Sequence, residues 1–423
     1  MAGLTWRSGA GRKLTTAAGA VFALALVAGG YFWFSGGYDR WVAQRLVAGA
    51  CDGVLPAAEV RDVLGEGPFQ DDTRDRAEGE LSDASLRVDC TIARDTEHPT
   101  GTSTRVGSVK VNVRAVPERV AKDDTGFAAR ERRREDFTGE YDGVYPDVYP
   151  SLPPVAVGPG WNGVFSADEA SGGEASATTA VVLDCARGRG GLLVTVDAKD
   201  EGVTLDAPRQ RTAFARIATT TAANASGHWG CDADLGKPPR TVALPVNSDE
   251  AVPPADATAS CRGVPGRGSE VARAWEGSRR GTPVEVCVLG PGTVRGDGLP
   301  VARSTDDVGG HYRLSASYGP YAQDERYRYQ DRYDYMAQDR IPGVAPSGRL
   351  PEGGYWVSAE CEKGGERALF TVEPPGSRSP SYQRDEKDKP TPADRAYQRA
   401  ALRAFAEGSA KAHGCGTPDS VKP

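Results

Sequence analysis

CDGVLPAAEVRDVLG, residues 51–65, decides how the chain is read, because its parts come back later in the same order. CDGV at 51–54 recurs as CRGV at 261–264, and EVRDVLG at 59–65 recurs as EVARAWEG at 270–277. Cys51 also follows Ala48-Gly49-Ala50, a small-residue setting close to that of a bacterial lipid-attachment cysteine. A lipidated cysteine directly follows an apolar run, whereas Asp39, Arg40 and Arg45 stand between Cys51 and the nearest one. Cys51 is therefore read as the first cysteine of a folded module that occurs twice.

The other cysteines repeat the plan. There are eight: Cys51, Cys90, Cys185 and Cys231, then Cys261, Cys287, Cys361 and Cys415. The second of each set ends a strand-like run, LRVDC or VEVC. The third precedes another strand at the same distance, LLVTV (192–196) or ALFTV (368–372). The fourth follows an alanine-rich helical stretch with a histidine just before it, in SGHWGC and KAHGC. The spacing between equivalents varies, so the copies differ by insertions and are not a short-period solenoid. An even cysteine count outside the cytoplasm suggests disulfides. Four cysteines allow three pairings, which leaves connectivity open to sequence. First with second and third with fourth is favoured, pinning an N-terminal helix to a strand and a C-terminal helix to the sheet.

Local patterns predict the elements of each copy. Pro56 suits a first helical turn and Gly65 a helix end, with Val60, Val63 and Leu64 on one face between them. SVKVNVRAV (108–116) alternates strictly, as a half-buried strand does. TAVVLDC and LLVTVDA flank a Gly-rich hairpin at 187–191. Residues 208–225 and 392–412 read as closing helices. The expected fold class is α+β: an N-terminal transmembrane helix, then two tandem, diverged, disulfide-stapled domains, each an antiparallel sheet with flanking N- and C-terminal helices. The boundaries are a tail at 1–13, a transmembrane helix at 14–34, domain 1 at 51–232, a Pro-rich extended linker at 233–258, domain 2 at 259–416 and a tail at 417–423. Copy one carries an insertion, with a charged helix over 117–136 and a Tyr/Pro loop over 137–153; residues 373–391 are a second Pro-rich loop.

Leu14–Phe34 contains no charge, and its 21 residues would span about 31 Å as a helix, enough for a bilayer core. Basic residues precede it and Tyr31–Phe34 is an aromatic cluster at its far end. This predicts a single-pass anchor in the cell membrane, N-terminus cytoplasmic, bulk of the chain extracellular. A cleaved signal peptide with Ala23-Leu24-Ala25 as its small-residue site is the competing reading. The first fourteen residues hold Arg7, Arg12 and Lys13 and no acid, so a formal net charge of −7 leaves −10 on the rest. That balance argues against nucleic acid as a partner.

No catalytic constellation stands out. There is no GxSxG, HExxH or CxxC, and His98, His228, His311 and His413 sit in unlike contexts. The Gly-rich runs at 187–191 and 290–298 lack a Lys-Ser/Thr and read as turns. No cofactor or metal is expected. The oddest stretch is HYRLSASYGPYAQDERYRYQDRYDYMAQDR, 311–340, with seven tyrosines among arginines and aspartates. Tyr321, Tyr327, Tyr329, Tyr333 and Tyr335, with Arg326, Arg328 and Arg332, are the candidate partner-binding residues, since both side chains are common in binding surfaces. A solvated loop is the plainer reading of the same residues.

CDGVLPAAEVRDVLGE followed at a distance by VDCTIAR resembles small domains of membrane- or lipid-anchored extracytoplasmic proteins of actinobacteria, many without known function. The likeness covers mainly 51–95, with an echo at 261–290. Members often carry an aromatic residue after the second cysteine, where this chain has Thr91 and Ile92. The resemblance implies an envelope location and brings no catalytic residue. The expected function is a non-enzymatic, membrane-anchored envelope protein that binds a partner protein or cell-wall component. The alternative is a carboxylate-based envelope hydrolase, which would need a deep pocket with two carboxylates about 5–10 Å apart.

Overall fold

The computed structural model describes residues 37–72, 75–83, 85–97, 103–116, 153–169, 174–186, 190–201, 205–246, 250–279, 282–291, 312–319, 321–322, 325–326, 346–350, 353–361, 367–375 and 390–421. The expected tail at 1–13, the transmembrane segment at 14–34, the charged helix at 117–136 and most of both Pro-rich loops lie outside them. Among the described residues, no helix is long and apolar enough to cross a membrane.

The fold is α+β with two antiparallel sheets and four disulfides. The first half holds α1 (Gly37–Gly49), α2 (Ala57–Leu64), β1 (Phe69–Asp71), β2 (Asp75–Glu78), β3 (Arg87–Glu97), β4 (Ser103–Val116), β5 (Val155–Ala156), β6 (Asn162–Glu169), β7 (Glu174–Asp184), β8 (Gly191–Glu201) and α3 (Pro208–His228). The second holds β9 (Arg273–Glu276), β10 (Val284–Gly290), β11 (Tyr312–Ser317), β12 (Ser347–Arg349), β13 (Tyr355–Glu360), β14 (Arg367–Glu373) and α4 (Pro392–Ala412).

Both sheets have one topology. The first runs β1-β3-β4-β8-β7-β6-β5, with β2 also on β3; the second, read from its β9 edge, runs β9-β10-β11-β14-β13-β12. Each is an edge strand, a hairpin, and then a meander whose last strand returns beside the hairpin, β6-β7-β8 extended by the short β5 in the first sheet and β12-β13-β14 in the second. The registers agree as well. Cys90 pairs with Val111 and Val111 with Val196 in the first sheet. Cys287 pairs with Leu314 and Leu314 with Val372 in the second. Both closing helices are 21 residues long and start with proline.

The bridges follow the favoured pairing: Cys51–Cys90, Cys185–Cys231, Cys261–Cys287 and Cys361–Cys415. The repeated Cys-x-Gly-Val is a tight turn with a physical reason for each residue. Gly53 and Gly263 both take left-handed backbone, φ 80° and 83°, which glycine adopts without steric cost. The valine amide then donates to the cysteine carbonyl in each copy, and Val54 and Val264 are buried.

The chain stacks as helix, sheet, sheet, helix. Strand alternation sorts the side chains between layers. Val181, Leu183, Val194 and Val196 face Phe214, Ile217 and Ala218 of α3 in one core. Phe370, Val372 and Leu314 face Leu402, Phe405 and Ala406 of α4 in another. The opposite faces meet: Val164, Ala180, Val182 and Leu193 pack on Trp275, Val284, Val286 and Val288.

One expected element is corrected. The second domain has no N-terminal helix at EVARAWEG, because 273–276 is the edge strand β9, paired with β10. Val271, Ala274 and Trp275 have helical spacing, so the pattern misleads. Ala274 belongs to the core under α4 and Trp275 to the layer between sheets. With both faces of the sheet buried, this strand shows no polar alternation. The described residues of the Pro-rich stretch 233–258 hold no α-helix, only a 3-10 turn at Pro254–Asp256, and are strapped down. Trp161 Nε1 donates to the Lys237 carbonyl (2.8 Å), Arg216 to Pro239 (2.9 Å) and Arg211 to Val242 (3.0 Å). Val252 then bridges to Ala274, joining the second sheet.

Candidate functional site

Among the described elements, the widest separation in each half falls at the same point, the crossover from the hairpin to the meander. It runs from β4 to β5 and β6 in the first copy and from β11 to β12 in the second. These crossovers carry the Tyr/Pro loop and the Tyr/Arg segment. Their described roots are fixed, and each root touches the other module. Tyr321 is fully buried between the sheets, and its hydroxyl donates to the Ala180 carbonyl oxygen at 2.9 Å, with that of Asn162 a more distant second acceptor at 3.4 Å. Pro153, closing the first crossover, lies so close to Gly277 that a Cβ there would be 2.9 Å from its own.

Two of the candidate contact residues are therefore interior. Tyr321 is an anchor between modules, and its ring is the reason: a large apolar body reaching a backbone acceptor is best satisfied inside. Arg326 is also buried, and its Nη2 donates to Ser358 Oγ at 2.8 Å and to the Ala368 carbonyl at 3.4 Å. Burial, with the Arg367 charge adding to it, pushes this guanidinium down to about 10. A surface role for Tyr321 and Arg326 is corrected accordingly. Tyr327, Tyr329, Tyr333, Tyr335, Arg328 and Arg332 lie outside the described residues. The start of the segment is not loop either: Tyr312–Ser317 is β11, and Tyr312 and Tyr318 are core residues.

The structure brings together a second group that the sequence did not flag. Glu285, fully buried on β10, accepts from Ser409 Oγ (2.7 Å) and meets His413 Nε2 (2.7 Å). Tyr318 lies 2.5 Å from Ser409 Oγ, and its ring stacks on His413 at 3.8 Å. Ser409 gives its one hydroxyl proton to Glu285, so the Tyr318 hydroxyl donates to Ser409. Burial, reinforced by the nearby Glu285 charge, raises the Tyr318 phenol far above its usual value and keeps it a donor. The Arg279 guanidinium stands 3.9 Å from the carboxylate, lowered mainly by burial. The register gives the counterparts in copy one. Glu285 pairs with Ala316 as Val88 pairs with Val113, and Ser409 and His413 match Ala225 and Trp229 on the equal-length helix. Copy one thus fills with apolar groups what copy two fills with a polar chain. His413 answers to Trp229, not to His228, which instead meets Asp52 at the surface at 3.0 Å.

This chain of groups lacks the order of a nucleophile, base and acid, since the carboxylate stands between serine and histidine. Ser409 is fully buried, which suits a weld between β10 and α4. A shallow groove of about 480 Å³ lies elsewhere, lined by Pro253–Ala255, Gly263–Gly268 and Val271, and none of these is a carboxylate. Beside it Arg267 joins Asp394 at 2.5 Å and Glu270 at 3.0 Å. Among the described residues, no group of three His, Cys, Asp or Glu is arranged to hold a metal.

The arrangement defines a class by its architecture, an α+β protein of two like-wound, doubly bridged sheets packed face to face. Compared with models of protein families, with curated proteins and with solved structures, the chain matches none.

Proposed function

We propose that this chain is a non-enzymatic envelope protein, anchored by residues 14–34, whose two extracytoplasmic modules arose by duplication and bind a partner protein or cell-wall component. The modules form one body, and their two longest insertions leave from equivalent crossovers. The observation that carries the reading is the anchoring of Tyr321: its hydroxyl on Ala180 ties the root of the Tyr/Arg segment to the opposite module. Tyr327, Tyr329, Tyr333 and Tyr335, with Arg328 and Arg332, follow that root in sequence and supply large contact area and donors. Four bridges suit an oxidising compartment, and the apolar run at 14–34 supplies the membrane.

The test is photocrosslinking in intact cells from Tyr329 and Tyr333, each replaced by a photoreactive tyrosine analogue. A discrete adduct that disappears with Arg328→Glu and Arg332→Glu supports the reading. No adduct, or one indifferent to those changes, contradicts it.

A further inference from the structure

We propose that the outer face of α1 beds in the headgroup region of the lipid bilayer, so that the first module sits against the membrane rather than hanging from a tether. This rests on the anchored reading of residues 14–34. Five large apolar side chains are exposed among the described residues, and three of them, Tyr38, Trp41 and Val42, stand together at the start of α1. The other two, Leu235 and Leu244, lie on the linker. The helix cannot roll to hide the patch, because Ala43 and Val47 on its opposite face, and Ala50 just past its end, are already buried in the first core.

The chemistry of the patch fits a bilayer interface. The Arg45 guanidinium lies 4.1 Å above the Trp41 ring, and the Tyr38 ring centre is 6.1 Å from that of Trp41. Aromatic rings with polar edges favour the headgroup level, and an arginine there meets lipid phosphate. Position argues for the same occupant. Phe34 ends the uncharged run and Tyr38 follows four residues later, so the two lie within about 14 Å of each other. A patch held that close to the end of a membrane segment faces lipid before it faces any other surface.

The full chain is reconstituted in vesicles of phosphatidylcholine with a minority of phosphatidylglycerol. A nitroxide is placed at Val42→Cys or, as reference, at Leu244→Cys; the native cysteines are bridged. Relaxation by oxygen relative to a water-soluble nickel complex is expected to be severalfold higher at 42 than at 244. Tyr38→Ser with Trp41→Ser, both at exposed sites, should lower that ratio while the chain stays in alkali-washed vesicles. Equal nickel access at the two sites in a retained chain overturns the docking and leaves the anchor standing. Protection of 42 from both reagents means a second copy or another protein covers the patch, and also overturns it. Release of the chain by alkali overturns the anchored reading, and this inference with it.

Discussion

Glu285 stands in the second sheet where Val88 stands in the first, both buried beneath the closing helix of their own module. Equivalent positions in the two sheets thus hold a carboxylate in one module and an alkyl group in the other. Ser409, His413, Tyr318 and Arg279 surround Glu285.

Removing that carboxylate strands its partners. Glu285→Ala is expected to destabilise the protein by about 3–5 kcal/mol, as breaking a buried charge pair from one side does. Urea titration followed by circular dichroism measures it. A change below about 1 kcal/mol would mean that the polar chain is not a structural weld.

Tyr321→Phe removes one hydrogen bond between modules and keeps the packing, at an expected cost of about 1 kcal/mol. Tyr321→Ala empties a buried ring site and should cost about 3–5 kcal/mol. Comparable costs for both would show that the ring is not buried between the sheets. The comparison needs only two melting curves.

The α4 cap makes part of the stability dependent on acid. Burial alone would raise the Asp394 carboxyl, but the Arg267 side chain and the Thr391 hydroxyl and amide outweigh it and hold it below the usual range. A carboxyl lowered on folding stabilises the native state above its unfolded value of about 3.9, and that contribution fades as pH falls through the lower folded value. Asp394→Asn should therefore cost about 1 kcal/mol at pH 7 and progressively less below about pH 4. Denaturation midpoints over that range decide it; a cost independent of pH contradicts the pairing.

The linker gives a local test. A Cβ on Gly236 would fall 2.4 Å from the Trp161 ring and 2.7 Å from its backbone nitrogen. Gly236→Ala should lift the strap from the first module and speed trypsin cleavage after Arg240. Unchanged cleavage would show that the linker is not held there.

Much of this fold is legible in the sequence because it is written twice. The Cys-x-Gly-Val turns, the cysteine order and the two proline-led helices each gain weight from their echo. The bridges follow, since a repeated order makes pairing within a copy the simplest arrangement. Reading fails where a residue is satisfied by distant chain. EVARAWEG has helical spacing, yet both faces of its strand are covered by layers far away in sequence. Tyr321 and Arg326 belong by composition to a surface segment, but their acceptors, Ala180 and Ser358, lie 141 and 32 residues away. Glu285 in VEVC gives no local sign that a helix more than 100 residues later will bring it Ser409 and His413.

The most direct test of the central claim is peptide mapping of the intact protein without reduction. Two like-wound modules, each locked by two bridges, predict four linked peptide pairs: Cys51 with Cys90, Cys185 with Cys231, Cys261 with Cys287 and Cys361 with Cys415. A bridge joining a cysteine before the linker to one after it, or free thiols in the mature protein, would contradict it.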